Sequence, residues 1–149
     1  MTLRPVVVHR AKRLAAAGAR GLCRVALLGA LAAGCGESVP LFGPPTEASC
    51  PDNSVLTYEN FGKQFMERYC TRCHAVALTG AQRHGAPSFH DFDTIFGVRA
   101  VADHVDETTA SGPAATNTSM PPDSPKPADN ERRALGEWLA CGARSDEHP

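Results

Sequence analysis

The sequence predicts an all-α domain with three main helices and long loops. Three stretches repeat apolar residues at helical spacing, none alternates at period two for long, and Pro- and Gly-rich segments separate the helical patterns. At 149 residues the chain has room for one modest domain.

The first helix is expected over residues 57–70, TYENFGKQFMERYC. Thr57 can cap it and Glu59 suits its positive end. Phe61, Phe65 and Tyr69 recur every four residues, flanked by Tyr58 and Met66, and make one apolar face. Gly62 costs helix stability, which makes sense where another helix crosses close by. Residues 75–90 read as loop around Gly80, Gly85 and Pro87. A second helix is expected over residues 93–106, DTIFGVRAVADHVD, capped by Asp93, with Ile95, Val98, Val101, Ala102 and Val105 on one face. Residues 108–128 mix prolines with Thr, Ser and Ala too irregularly for an element, and long loops of this kind are usually functional or disordered. The third helix covers residues 129–141, DNERRALGEWLAC, where Leu135, Trp138 and Leu139 face inward and Gly142 stops the helix.

The N-terminal third has a different composition. Arg4, Arg10, Lys12, Arg13, Arg20 and Arg24 precede any acid, and the apolar run VALLGALAAGC follows at residues 25–35. A basic region, a short apolar region and small residues before a break describe an export signal over residues 1–34, and the apolar run itself is too short to span a bilayer comfortably. Residues 35–53 are rich in Pro, Gly and Ser and are expected to form a flexible tether to a domain at 54–144, with a tail at 145–149. Loss of residues 1–34 leaves nine Lys and Arg against all sixteen Asp and Glu, a net charge of −7. That balance argues against nucleic acid and permits docking to basic patches of a redox partner.

The stretch RYCTRCHAV, residues 68–76, carries the chemistry. A C-x-x-C-H sequence reads as a c-type haem attachment site. Two thiols at that separation add across the two vinyl groups of the porphyrin, and the adjacent imidazole of His74 lies under the iron. A thioredoxin-like dithiol calls for a preceding strand and a βαβ setting, and a structural zinc site calls for four ligands. Here the motif ends a helix and no second C-x-x-C exists. Met120, in NTSMPP, is the methionine left for a sixth ligand, because Met1 is removed and Met66 lies too close to the motif. His104 is the rival, with His84 and His90 behind it.

Residues 62–74, GKQFMERYCTRCH, resemble the N-terminal helix and haem motif of class I cytochromes c. The resemblance extends over roughly residues 55–142 and implies a small cytochrome c-like fold around one covalent haem c. It implies that Gly62, eight residues before Cys70, is crossed by an aromatic of the last helix, a position that Trp138 suits. It implies that Cys70 and Cys73 attach the haem, that the Pro87 carbonyl orients His74, and that His74 and Met120 ligate the iron. In such a fold the first and last helices cross, which would bring Cys50 and Cys141 within reach of a disulfide. LAAGC likewise resembles a bacterial lipobox, which implies lipidation of Cys35 after the signal leaves; ordinary cleavage near Ala33 or Gly34 is the alternative.

The function implied is one-electron transfer between redox partner proteins, without enzymatic turnover. The expected location is the periplasmic side of a bacterial membrane, held there by a lipid anchor, or the soluble periplasm. The competing classes are a haem enzyme or gas sensor with an open sixth position, and an accessory haem subunit of a larger complex.

Overall fold

Thr57 opens the first helical element as the sequence predicts. Its hydroxyl accepts the Asn60 N–H at 3.3 Å, and Asn60 Oδ1 accepts the Thr57 N–H at 2.8 Å, a reciprocal cap. In the computed structural model, which describes residues 42–147, this cap starts a wide turn at Tyr58–Gly62. Both the Phe61 and Gly62 N–H groups point at the Thr57 carbonyl, at 3.0 and 3.1 Å, so the turn is looser than α. The chain then tightens into α1, Lys63–Tyr69, which ends at Cys70.

The second expected helix is two. Helix α2, Ile95–Ala100, and helix α3, Ala102–Thr109, meet at Val101, whose φ of −137° and ψ of 35° interrupt the helical ladder. The cap of α2 is Thr94, not Asp93: the Thr94 hydroxyl accepts the Gly97 N–H at 3.2 Å, while Asp93 accepts the Val76 N–H at 3.2 Å. Helix α4, Asp129–Ala140, matches expectation within a residue, and Gly142 ends it at a φ of 77°. Glu131 draws in the first turn of α4 by accepting the Ala128 N–H at 2.8 Å. Among the described residues there is helix and no strand, only an isolated bridge between Ser111 and Thr116.

Helices α1 and α4 meet through Gly62 and Trp138. A β-carbon at position 62 would lie 2.5 Å from the indole ring, so only glycine lets the tryptophan approach this closely. Trp138 is fully buried and its Nε1–H donates to the Arg144 carbonyl at 3.1 Å. Phe65, Met66, Tyr69, Val98, Val105 and Leu135 complete the core around it. Each such aliphatic or aromatic side chain contributes about 1.5–3 kcal/mol by leaving water. The Tyr69 hydroxyl donates to the Glu131 carboxylate at 2.8–2.9 Å, a second tie between α1 and α4.

The segment expected to be a tether is docked over its described part. Thr46 is buried, and its N–H and hydroxyl both donate to the Asp106 carboxylate, at 2.8 and 2.6 Å. Asn117 Nδ2 donates to the Pro44 carbonyl at 2.9 Å, and the Gly43 N–H donates to the Glu107 carbonyl at 2.9 Å. Cys50 and Cys141 form a disulfide, with α-carbons 4.8 Å apart and a sequence separation of 91. The structured domain therefore includes residues 42–53, not only the chain from 54 onward. The expected export signal, Cys35 and the other residues before 42 lie outside the described residues. Among those described, no helix is long and apolar enough to cross a membrane.

Candidate functional site

The site begins where α1 stops. The Cys73 and His74 N–H groups both bond back to the Cys70 carbonyl, at 3.1 and 3.0 Å, so the motif coils directly off the helix end. Cys70 and Cys73 are free thiols and half-buried. Burial pushes the Cys70 thiol up to about 12, with the neighbouring Arg72 pulling the other way.

His74 is fixed on two sides. Its ring stacks on Phe92 with centroids 4.6 Å apart. Its Nδ1 lies 3.1 Å from the His90 carbonyl, an oxygen that can only accept, so Nδ1 carries the proton and Nε2 keeps its lone pair. Burial lowers the His74 pKa below the usual histidine value, against an upward push from that carbonyl bond, which favours the neutral imidazole a metal requires.

Pro87 does not play the part the resemblance implies. Its carbonyl accepts the His90 N–H at 3.1 Å and Arg83 Nη2 at 2.5 Å, turned into its own loop. The carbonyl facing His74 belongs to His90, three residues on. The reason is Arg83, which is only 5% exposed inside a loop of few regular bonds. Its guanidinium donates to the carbonyls of Ala75 at 2.9 Å, Ala86 at 3.1 Å, Pro87 and His90, and it pairs with Asp91 at 2.8 Å. The short 3-10 turn Gly80–Arg83 delivers the side chain, and loop 75–91 is shaped around it.

A second guanidinium organises the loop that carries Met120. Arg132 of α4 is 2% exposed, and its Nη1 donates to the carbonyls of Thr109 at 2.7 Å, Asn117 at 2.8 Å and Met120 at 3.2 Å. The Met120 N–H donates to the Thr108 carbonyl at 2.9 Å, while the residue as a whole is 41% exposed. Arg72, inside the motif itself, reaches the same loop: Nη1 and Nη2 donate to the carbonyls of Ser124 and Asp123 at 2.7 and 2.6 Å. The motif and the methionine loop are thus tied together by hydrogen bonds.

His104 is engaged elsewhere. Its ring stacks on Phe42 at 4.4 Å, and its Nδ1 lies 3.4 Å from His90 Nε2. His90 is buried between His104 and His74, with ring centroids 5.4 and 6.0 Å away. His84 is exposed at the end of the 3-10 turn with a φ of 50°. Among the described residues no three His, Cys, Asp or Glu side chains gather as a metal cage. A cleft of about 340 Å³ runs between residues 45–48, α3 and α4, and includes no residue of the CTRCH motif.

The donor set therefore fits a c-type haem. Two free thiols stand at the motif spacing, the histidine beside them is held as the Nδ1–H tautomer, and a thioether is carried on a loop bonded to the motif. Cys70, Cys73 and His74 would hold the group, and Met120 is the soft ligand available to complete it. Sequence reasoning missed Arg83, Arg132 and Phe92, and weighed His90 only as a rival ligand, not as the residue whose carbonyl faces His74. The available signal was physical: loops 75–91 and 108–128 hold many carbonyls and little regular structure, so the arginines in or next to them were the donors to ask about. Comparison with protein-family models, with curated proteins and with solved structures returned no match.

Proposed function

We propose that this chain is a monohaem electron carrier of the class I cytochrome c type, exported and tethered to a membrane by lipid at Cys35. The observation that carries this reading is the His74 arrangement. A neutral imidazole directly after two free thiols has its Nδ1–H tied to a backbone carbonyl, leaving Nε2 as a donor. The close contact of Gly62 with Trp138 supports the same reading independently.

When bound, a c-type haem would supply one-electron redox chemistry, at a potential that a thioether ligand such as Met120 would raise. The chain's own residues do the rest. Cys70 and Cys73 fix the group to the end of α1. His74, stacked on Phe92 and bonded to His90, presents Nε2 in one orientation. Arg132 and Arg72 hold the backbone of the methionine loop in place, which keeps Met120 available without a large ordering cost. Phe61, Phe65, Tyr69 and Trp138 exclude water from the helix crossing.

The test is covalent attachment in a host that matures c-type haem. The expected result is a chain that keeps haem after denaturation, with one haem per chain by mass. Cys70→Ser with Cys73→Ser should abolish attachment. A wild-type chain that exits such a host as free dithiol overturns the reading.

A further inference from the structure

The His90 carbonyl carries two donors. His74 Nδ1 approaches it at 3.1 Å and Arg83 Nη2 at 3.0 Å. A carbonyl oxygen has two lone pairs, so both bonds can form, but they draw on the same electron density. One of the two donors is a cation, buried to 5% exposure, and its partner Asp91 neutralises it from the other side at 2.8 Å. A charge-assisted bond is about twice as strong as a neutral one. The Arg83 bond therefore fixes the carbonyl and also weakens it as an acceptor for His74.

We infer that Arg83 is a positioning residue that tunes His74 as a metal ligand through the shared His90 carbonyl. This inference rests on the haem reading of the same site. A strong bond at Nδ1 pushes electron density through the ring and makes Nε2 a better donor. Arg83 limits that push, which favours the lower oxidation state of a metal held at Nε2 and raises its potential. The other contacts of Arg83, to Ala75, Ala86 and Pro87, keep the carbonyl aimed while this happens. Asp91 moderates the effect, since it offsets part of the positive charge.

The experiment compares Arg83→Gln, Arg83→Lys and Asp91→Asn in the full chain. Two quantities are read: the proton shift of His74 Nδ1–H by NMR, in the reduced, haem-loaded protein, and the midpoint potential. Arg83→Gln removes the cation, so the Nδ1–H signal moves downfield and the potential falls. A fall of about 59 mV corresponds to tenfold in the ratio of reduced to oxidised protein for one electron. Arg83→Lys retains the charge and restores most of both shifts. Asp91→Asn leaves the carbonyl contacts of Arg83 intact and moves the signal the opposite way, upfield, so it decides the matter even where Arg83→Gln fails to fold. An unmoved Nδ1–H signal in Asp91→Asn, or equal shifts in the Gln and Lys variants, overturns the inference and leaves Arg83 as loop packing alone. A wild-type chain that takes up no haem defeats the functional reading instead. The Nδ1–H signal can then still be read in the unloaded chain, so the two failures are distinguishable.

Discussion

Arg132 shows what one side chain does for a loop that lacks regular structure. Three carbonyls of residues 109–120 converge on one buried nitrogen. Arg132→Met keeps much of the bulk but removes every donor. Leaving buried acceptors unpaired costs about 1–3 kcal/mol each, so a loss of about 2–4 kcal/mol in denaturant unfolding is expected after partial relaxation. Faster amide exchange at Asn117 and Met120 should accompany it; unchanged exchange there would mean the loop holds itself. Gly62 makes the opposite kind of test. Gly62→Ala drives a methyl group into the Trp138 ring, and overpacking of this kind costs about 1–3 kcal/mol. Wild-type stability of that variant would show that the crossing can open without penalty. The glycine and the tryptophan were legible in the sequence because Trp138 is the one tryptophan and Gly62 is the one glycine within the first helical pattern. Arg132 and Arg83 were not, because an arginine in a polar stretch reads as solvated until the loop closes over it.

At the level of elements, the helices followed their apolar periodicity, with one exception. The pattern over residues 93–106 runs on through Val101, yet the backbone breaks there. Apolar spacing reports which residues face inward and not whether the hydrogen-bond ladder is continuous, so α2 and α3 looked like one helix. The docked segment at 42–50 was misread for a related reason: without periodicity it looked like a tether, and its partners Asp106 and Asn117 are distant in sequence. The disulfide locks that segment to the end of α4. A closed loop spanning 91 positions contributes about 4–5 kcal/mol in the chain-entropy model. Cys50→Ala with Cys141→Ala should lose stability of that order, and reduction of the wild type should match it; no loss in either would place the constraint elsewhere. The joint between α1 and α4 should also respond to acid. The Ala128 N–H, then the Tyr69 hydroxyl and Arg68, hold Glu131 below the usual carboxylate value, against an upward push from burial. A carboxyl lowered in the folded state contributes stability above its unfolded value, and that stability is lost as pH falls through the folded value. Below about pH 5 the wild type should therefore lose stability more steeply than Glu131→Gln. Parallel acid limbs for the two proteins would remove Glu131 from the joint.

For the whole molecule, local patterns were readable in the sequence and contacts between distant residues were not. The C-x-x-C-H motif itself is plain in the sequence, because it is a local pattern, and its reading as a haem attachment site is the proposal made above. The partner of His74 was not plain: the carbonyl used depends on how Arg83 folds the intervening loop, and the choice moved from Pro87 to His90. Elimination among the methionines singled out Met120 as the candidate ligand, whereas the bonds from Arg72 to the loop that carries it emerged only from the fold. Together these contacts make a small helical domain in which loops 75–91 and 108–128 are each organised by a buried arginine, and Arg72 of the motif bonds to the second of them. The direct test of its function is the visible spectrum of the matured protein, oxidised and reduced, with and without carbon monoxide. A low-spin haem with a methionine–iron band, indifferent to carbon monoxide and lost as such in Met120→Ala, is the expected result. A high-spin haem that binds carbon monoxide readily in the wild type would contradict electron transfer through a His74–Met120 pair and make the chain a catalyst or sensor.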